Sequence, residues 1–144
     1  MKELKPEILR SFRMEMIGTG CYDAMARRYE ASRPELSKRF RAMADSERGH
    51  GALFQKCHAG LYGSKMSGES FWLFMGKLSA LSQALLPLKM NLKILSGVEK
   101  LAVKQIEAAL AAGGNSKFHD ILKNILPDEK EHAALYNDWV SGKV

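Results

Sequence analysis

Four long stretches of the chain place apolar residues at steps of three and four, the spacing that lines one face of an α-helix. The first stripe reads Ile8, Phe12, Glu15, Thr19, Tyr22, Ala26 and Tyr29, and the second reads Leu36, Phe40, Met43, Glu47, His50, Phe54, Cys57 and Leu61. Further along, Leu92, Leu95, Glu99, Ala102, Ile106 and Leu110 form a third, and Phe118, Leu122, Ile125, Glu129, His132, Tyr136 and Trp139 a fourth. No long run of alternating Val, Ile and Thr suggests a strand, so the expected fold is all-α. The stripes predict helices over about 6–30, 33–61, 88–112 and 116–140, with a crossover helix over 70–86, in a single domain spanning 1–144.

Local punctuation supports these divisions. Pro6 and Glu7 favour a first helical turn. Ser32-x-x-Glu35 has the form of a capping box for the second helix, and Gly60 and Gly63 mark its end. Pro87 separates the apolar segment Phe71–Leu86 from the third bundle helix, which stops at Ala112-Gly113-Gly114. The last helix begins near Asn115 or Ser116, and Pro127 is expected to break or kink it. A bundle helix of roughly 26 residues is about 39 Å long at 1.5 Å per residue. The 26 residues of segment 62–87 can return the chain over that length even while mostly helical. The expected architecture is therefore two helical hairpins joined by one long crossover, a known four-helix arrangement.

The polar residues within the stripes carry the chemistry. Glu47 precedes His50 by three positions and Glu129 precedes His132 by three, so each pair shares a helix face. Glu15 lies 32 residues before Glu47, and Glu99 lies 30 residues before Glu129. A lone Glu-x-x-His means little on a helical surface. Here the four glutamates fall on otherwise apolar stripes, where unpaired carboxylates cost several kcal/mol or stay protonated. Two divalent ions would offset four such charges, so metal binding explains the pattern better than four solvated faces do. Gly18, Gly49 and Gly97 flank these residues and would either let helices approach or leave room for a small oxidant.

Composition narrows the alternatives. The chain has 144 residues, 46% hydrophobic and 26% charged, as in a soluble globular protein. Cys21 and Cys57 are its two cysteines, neither in a Cys-x-x-Cys pair, which excludes a Cys₄ zinc or rubredoxin-type centre within one chain. Two scattered thiols suit a reducing cytoplasm, and the N-terminal residues have no signal-peptide character. The formal charge is +6. It suits acidic redox partners or anionic lipid as well as plain solubility. No Lys/Arg run interleaved with aromatics points to nucleic acid.

Taken together, these residues resemble the ferritin-like superfamily of di-iron carboxylate proteins, nearest to rubrerythrin-like ferritin domains. The resemblance covers nearly the whole chain. It implies a ferritin-like four-helix bundle with metal ligands Glu15, Glu47, His50, Glu99, Glu129 and His132, drawn as one Glu from each of two helices and Glu-x-x-His from each of the others. It further implies Glu47 and Glu129 as bridging carboxylates and Glu15 and Glu99 as terminal ones. Tyr22, seven residues after Glu15, would orient a carboxylate or line the oxidant pocket as the catalytic side chain. The implied cofactor is two Fe ions, with Mn the other metal that suits these donors.

The implied activity is oxidation of Fe²⁺ by peroxide or dioxygen, as a peroxidase or ferroxidase in oxidative stress. Lacking a Cys₄ module, the chain would draw electrons from a separate donor protein or from incoming Fe²⁺. A cytoplasmic homodimer is expected. Two other readings stand beside this one. The first is a di-iron hydroxylase for an apolar substrate, resembling demethoxyubiquinone hydroxylase, for which the apolar Phe71–Leu86 segment speaks. That segment is expected to cover the bundle, with membrane-surface contact through Phe71, Trp72 and Phe74 as its other reading. The second is a non-enzymatic helical interaction module.

Overall fold

The computed structural model describes residues 4–114 and 116–144. Every regular element among them is helical: α1 (Lys5–Tyr29), α2 (Pro34–Tyr62), α3 (Glu69–Ser82), a 3-10 turn (Gln83–Leu85), α4 (Leu88–Ala111), α5 (Lys117–Ala133) and α6 (Leu135–Val140). The all-α expectation holds. The chain divides into two compact units, one ending at Ser82 and one beginning at Gln83, which are taken in turn.

In the first unit α1 and α2 form an antiparallel hairpin. Ser37 Oγ donates to the Ala26 carbonyl at 2.7 Å near the turn, and His50 approaches Glu15 further along. Ile8, Phe12, Tyr22, Met25, Leu36, Phe40, Met43 and Phe54 are buried. Each such side chain contributes about 1.5–3 kcal/mol when fully withdrawn from water. The second stripe stays buried through Cys57, but Leu61 is exposed, because the helix has by then reached its open end. Gly63 closes α2 in the left-handed region at φ 68°, the conformation a glycine C-cap supplies.

The expected capping box is not formed. Arg33 is the N-cap of α2 without a side-chain bond, and Pro34 occupies the first turn. Ser32 thus lies outside the helix, and Glu35 pairs with Lys38 at 2.8 Å instead.

The connection after α2 is tied back to it. Gln55 Nε2 donates to the Met66 carbonyl at 3.0 Å, its Oε1 accepts from Met66 N at 2.7 Å, and His58 Nδ1–H donates to the Ser64 carbonyl at 2.8 Å. From there α3 runs parallel to α1 and packs on it. Arg13 lies 5.2 Å from the Trp72 ring centroid, and Arg28 Nη2 donates to the Ala80 carbonyl at 2.5 Å.

Two glycines set how close this crossing is. A Cβ on Gly20 would collide with the Leu73 carbonyl of α3, and one on Gly76 with the Ile17 carbonyl and Cys21 N of α1. The helical crossover segment expected over 70–86 ends its α-helix at Ser82 and finishes as the 3-10 turn before Pro87. Its outer face leaves Phe71, Phe74, Leu78 and Leu81 exposed.

In the second unit α4 and α5 form another antiparallel hairpin. Lys130 Nζ of α5 pairs with Glu107 of α4 at 2.8 Å. Leu92, Leu95, Ile106, Phe118, Leu122, Ile125 and Leu135 are buried. Ser116 caps α5 by accepting from His119 N at 3.4 Å, whereas Asn115, the other expected start, lies outside the described residues.

The last helix also differs from its expected single run over 116–140. α5 passes through Pro127 unbroken and stops at Ala133, after which Ala134 turns the chain into α6. At that junction the Tyr136 amide donates to Ser96 Oγ of α4 at 2.8 Å. A side chain on the neighbouring helix has replaced the local helical acceptor, so the break costs little hydrogen bonding.

No helix among the described residues is long and apolar enough to cross a membrane.

Candidate metal centre

Each unit gathers two carboxylates and one imidazole. In the first, the α1 stripe carries Glu15 and the α2 stripe carries Glu47 and His50, with relative exposures of 8%, 5% and 5%. Helical phase explains the meeting, because Glu47 and His50 stand on the same face of α2 and the antiparallel hairpin turns that face toward Glu15. These three residues each offer a ligand atom, and the atoms lie within 4.8 Å of one another.

His50 is the best-defined member. Its Nδ1 lies 3.4 Å from Glu15 Oε2, and its Nε2 lies 3.3 Å from the Ser46 hydroxyl one turn earlier. A polar group on the far ring nitrogen fixes the ring and leaves the other nitrogen facing the carboxylate, an arrangement common among metal-binding histidines. The sequence reading missed Ser46. Its signal was available: Ser46 stands four residues before His50, and Asp128 occupies the same offset before His132.

In the second unit Glu99 of α4 and Glu129 and His132 of α5 are similarly buried, and their ligand atoms also fall within 4.8 Å of one another. The continuation of α5 through Pro127 keeps Glu129 and His132 on one helical face, three residues apart. A break at Pro127 would have lost their register with Phe118, Leu122 and Ile125 earlier on α5.

Two carboxylates this close repel each other unless a proton or cation offsets their charge. Carboxylate oxygen and imidazole nitrogen suit Fe or Mn, and suit soft thiolate-seeking metals poorly. The donor set of each unit therefore fits a divalent cation.

The flanking residues divide differently. A Cβ on Gly18 would meet the Glu47 carboxylate, whereas Gly49 and Gly97 have open space beside them. Tyr22 is buried, and its ring stacks on Phe40 with centroids 6.0 Å apart at 19°. Phe54 is buried and Tyr136 half-buried at matching offsets after the two histidines. Cys21 and Cys57 are both buried free thiols.

A helical chain that repeats this donor set, two glutamates and one histidine per hairpin, has the ligand complement of the ferritin-like di-metal carboxylate proteins. Among known families, the Rubrerythrin family model matches residues 7–139. The chain belongs to the rubrerythrin family, whose domain is a di-iron domain of the ferritin-like superfamily. Comparison with curated proteins and with solved structures gave no match.

Proposed function

We propose that this protein is a rubrerythrin-like di-iron oxidoreductase that uses peroxide or dioxygen as oxidant. The observation that carries the reading is the duplicated buried Glu, Glu, His donor set in a chain of this family. Glu15, Glu47 and His50 would be ligands from the first unit, and Glu99, Glu129 and His132 from the second. Two bound irons would each supply one electron, and with two protons that pair reduces one peroxide to two waters.

The chain's own residues do the rest. The four carboxylates offset the charge of the ions. Ser46 holds His50 with Nδ1 turned toward Glu15. The buried apolar side chains around each triad keep bulk water from the site. Tyr22, buried and held against Phe40, is the candidate for orienting a carboxylate or lining the oxidant pocket. The two buried cysteines cannot form a Cys₄ centre within these residues, and renewed reduction is assigned to a separate donor protein or to incoming Fe²⁺.

The test is anaerobic loading of metal-free protein with Fe²⁺, followed by peroxide or dioxygen in separate stopped-flow runs. About two irons per chain are expected, with a near-ultraviolet absorption band that grows faster with the preferred oxidant. Tyr22→Phe keeps the ring stack, so it should retain iron and slow the oxidation. No iron uptake by the parent protein would refute the metal reading. Uptake without any oxidant-dependent change would leave a binding protein and refute the oxidoreductase.

The protein is also proposed to be a homodimer. The exposed apolar stripe of α3 and the exposed Met90, Ile94, Val98 and Leu101 of α4 support self-association. Sedimentation equilibrium should give twice the chain mass, and a single-chain mass at micromolar concentration would exclude a stable dimer.

A further inference from the structure

We infer that Gly18 is a positioning residue for the metal centre, kept free of a side chain so that the Glu47 carboxylate can lie against α1. This inference rests on the proposed metal site. The geometry separates Gly18 from every other helical glycine of the first unit. A Cβ built there would stand 2.6 Å from Glu47 Oε2, 3.2 Å from its Cδ and 3.4 Å from its Cγ. All three nearest atoms belong to one side chain, the carboxylate arm of Glu47.

By contrast, Gly20 and Gly76 clear the backbone of a neighbouring helix, Gly51 clears the flexible end of Met16, and Gly49 and Gly60 clear nothing within 4 Å. Helix formation alone argues against glycine at position 18, since glycine is among the weakest helix formers. The contact does not call for close backbone packing of α1 on α2 either, because the three nearest atoms are all in the Glu47 side chain and none is α2 backbone. What the missing Cβ protects is the place of a carboxylate.

That place matters because Glu47 shares its surroundings with Glu15, three residues before Gly18 on α1, and with His50. The ligand atoms of these three lie within 4.8 Å of one another. A methyl group at position 18 would meet the mobile end of Glu47, which can swing away without disturbing either helix. The fold would absorb the change, and the spacing among the three ligands would not. Gly18→Ala should thus weaken metal binding while leaving the metal-free protein as stable as before, or more so. A structural role would give the reverse.

The experiment compares the parent, Gly18→Ala and Gly49→Ala. It measures Mn²⁺ binding by electron paramagnetic resonance, the thermal midpoint of the metal-free forms, and crystal structures of metal-free parent and Gly18→Ala. Expected for Gly18→Ala are binding of at least one ion weakened about tenfold or more, an unchanged or raised midpoint, and a displaced Glu47 carboxylate. Gly49→Ala should bind as the parent does. Adding Glu47→Asp to Gly18→Ala shortens the arm that collides and should recover part of the lost affinity.

Parent-like Mn²⁺ affinity in Gly18→Ala would overturn the inference and leave the metal site standing. Failure of the parent to bind any metal would overturn the site reading. The metal-free crystals then decide the remaining point, since a Glu47 carboxylate in its parental position would overturn the inference by itself.

Discussion

Replacing Glu47 by alanine is expected to reduce the metal content from about two ions per chain to one or none, and to raise the stability of the metal-free protein or leave it unchanged. Both effects follow from one fact, the burial of this carboxylate beside Glu15 and His50. Two buried carboxylates this close repel each other when no cation lies between them, so removing one relieves the metal-free state. In the proposed metal centre the same carboxylate would be a ligand, and its loss would remove binding energy.

The two states should therefore respond in opposite directions. At a free metal concentration a hundred times the dissociation constant, binding at one site adds about 2.7 kcal/mol to the folded state. The parent's thermal midpoint should rise on metal addition, and that of Glu47→Ala should rise less or not at all. Elemental analysis of the loaded proteins checks the stoichiometry. A Glu47→Ala protein that keeps full metal content and the full metal-dependent rise would mean Glu47 is a buried carboxylate of another kind, such as one satisfied by the helix packing itself.

A second large effect is expected at Gly76. An alanine there would push its Cβ into the Ile17 carbonyl and Cys21 amide of α1, which are backbone atoms of a helix packed on its other side by α2. Nothing at this contact can rotate away, unlike the Glu47 arm beside Gly18. Overpacking of this kind costs about 1–3 kcal/mol, set against roughly 1 kcal/mol gained from replacing glycine in a helix. A net loss of stability is expected, confined to the first unit.

Hydrogen exchange should locate that loss. Amides of α1 and α3 should exchange faster in Gly76→Ala, while those of α4 and α5 keep their parental rates. Gly49→Ala is the comparison, since its Cβ would meet nothing and the propensity gain should stand alone. If the two variants proved equally stable, the α1–α3 crossing would have to be looser than the backbone contact implies.

Much of the architecture was legible in the chain because helices advertise themselves through a local period. The stripes of α1, α2, α4 and α5 could be read because burial on one face repeats every three or four residues, whatever the neighbour. The Glu and His positions were legible for the same reason, as polar residues interrupting apolar stripes.

Features that depend on a competition between local signals were harder to read. Ser32 and Glu35 had capping-box spacing, yet Pro34 began the helix and Glu35 turned to Lys38. Pro127 suggests a break or kink, yet α5 runs through it and ends six residues later at Ala133, next to the point where Ser96 of α4 accepts the Tyr136 amide. In that case a partner distant in sequence supplied what the local helix gave up.

The glycines show the boundary most clearly. Gly18, Gly20, Gly49 and Gly76 look alike in the sequence, each a weak point inside a strong helix. Their tertiary surroundings separate them: a carboxylate at Gly18, the backbone of another helix at Gly20 and Gly76, and open space at Gly49. The sequence by itself determined the all-α class, the helical stripes and the candidate donor residues, because periodicity and side-chain chemistry are properties of the chain. Which glycine guards a carboxylate, which permits a helix crossing and where the last helix turns were decided by the tertiary structure alone. Those outcomes depend on atoms brought near by packing, and no local pattern encodes which atoms they will be.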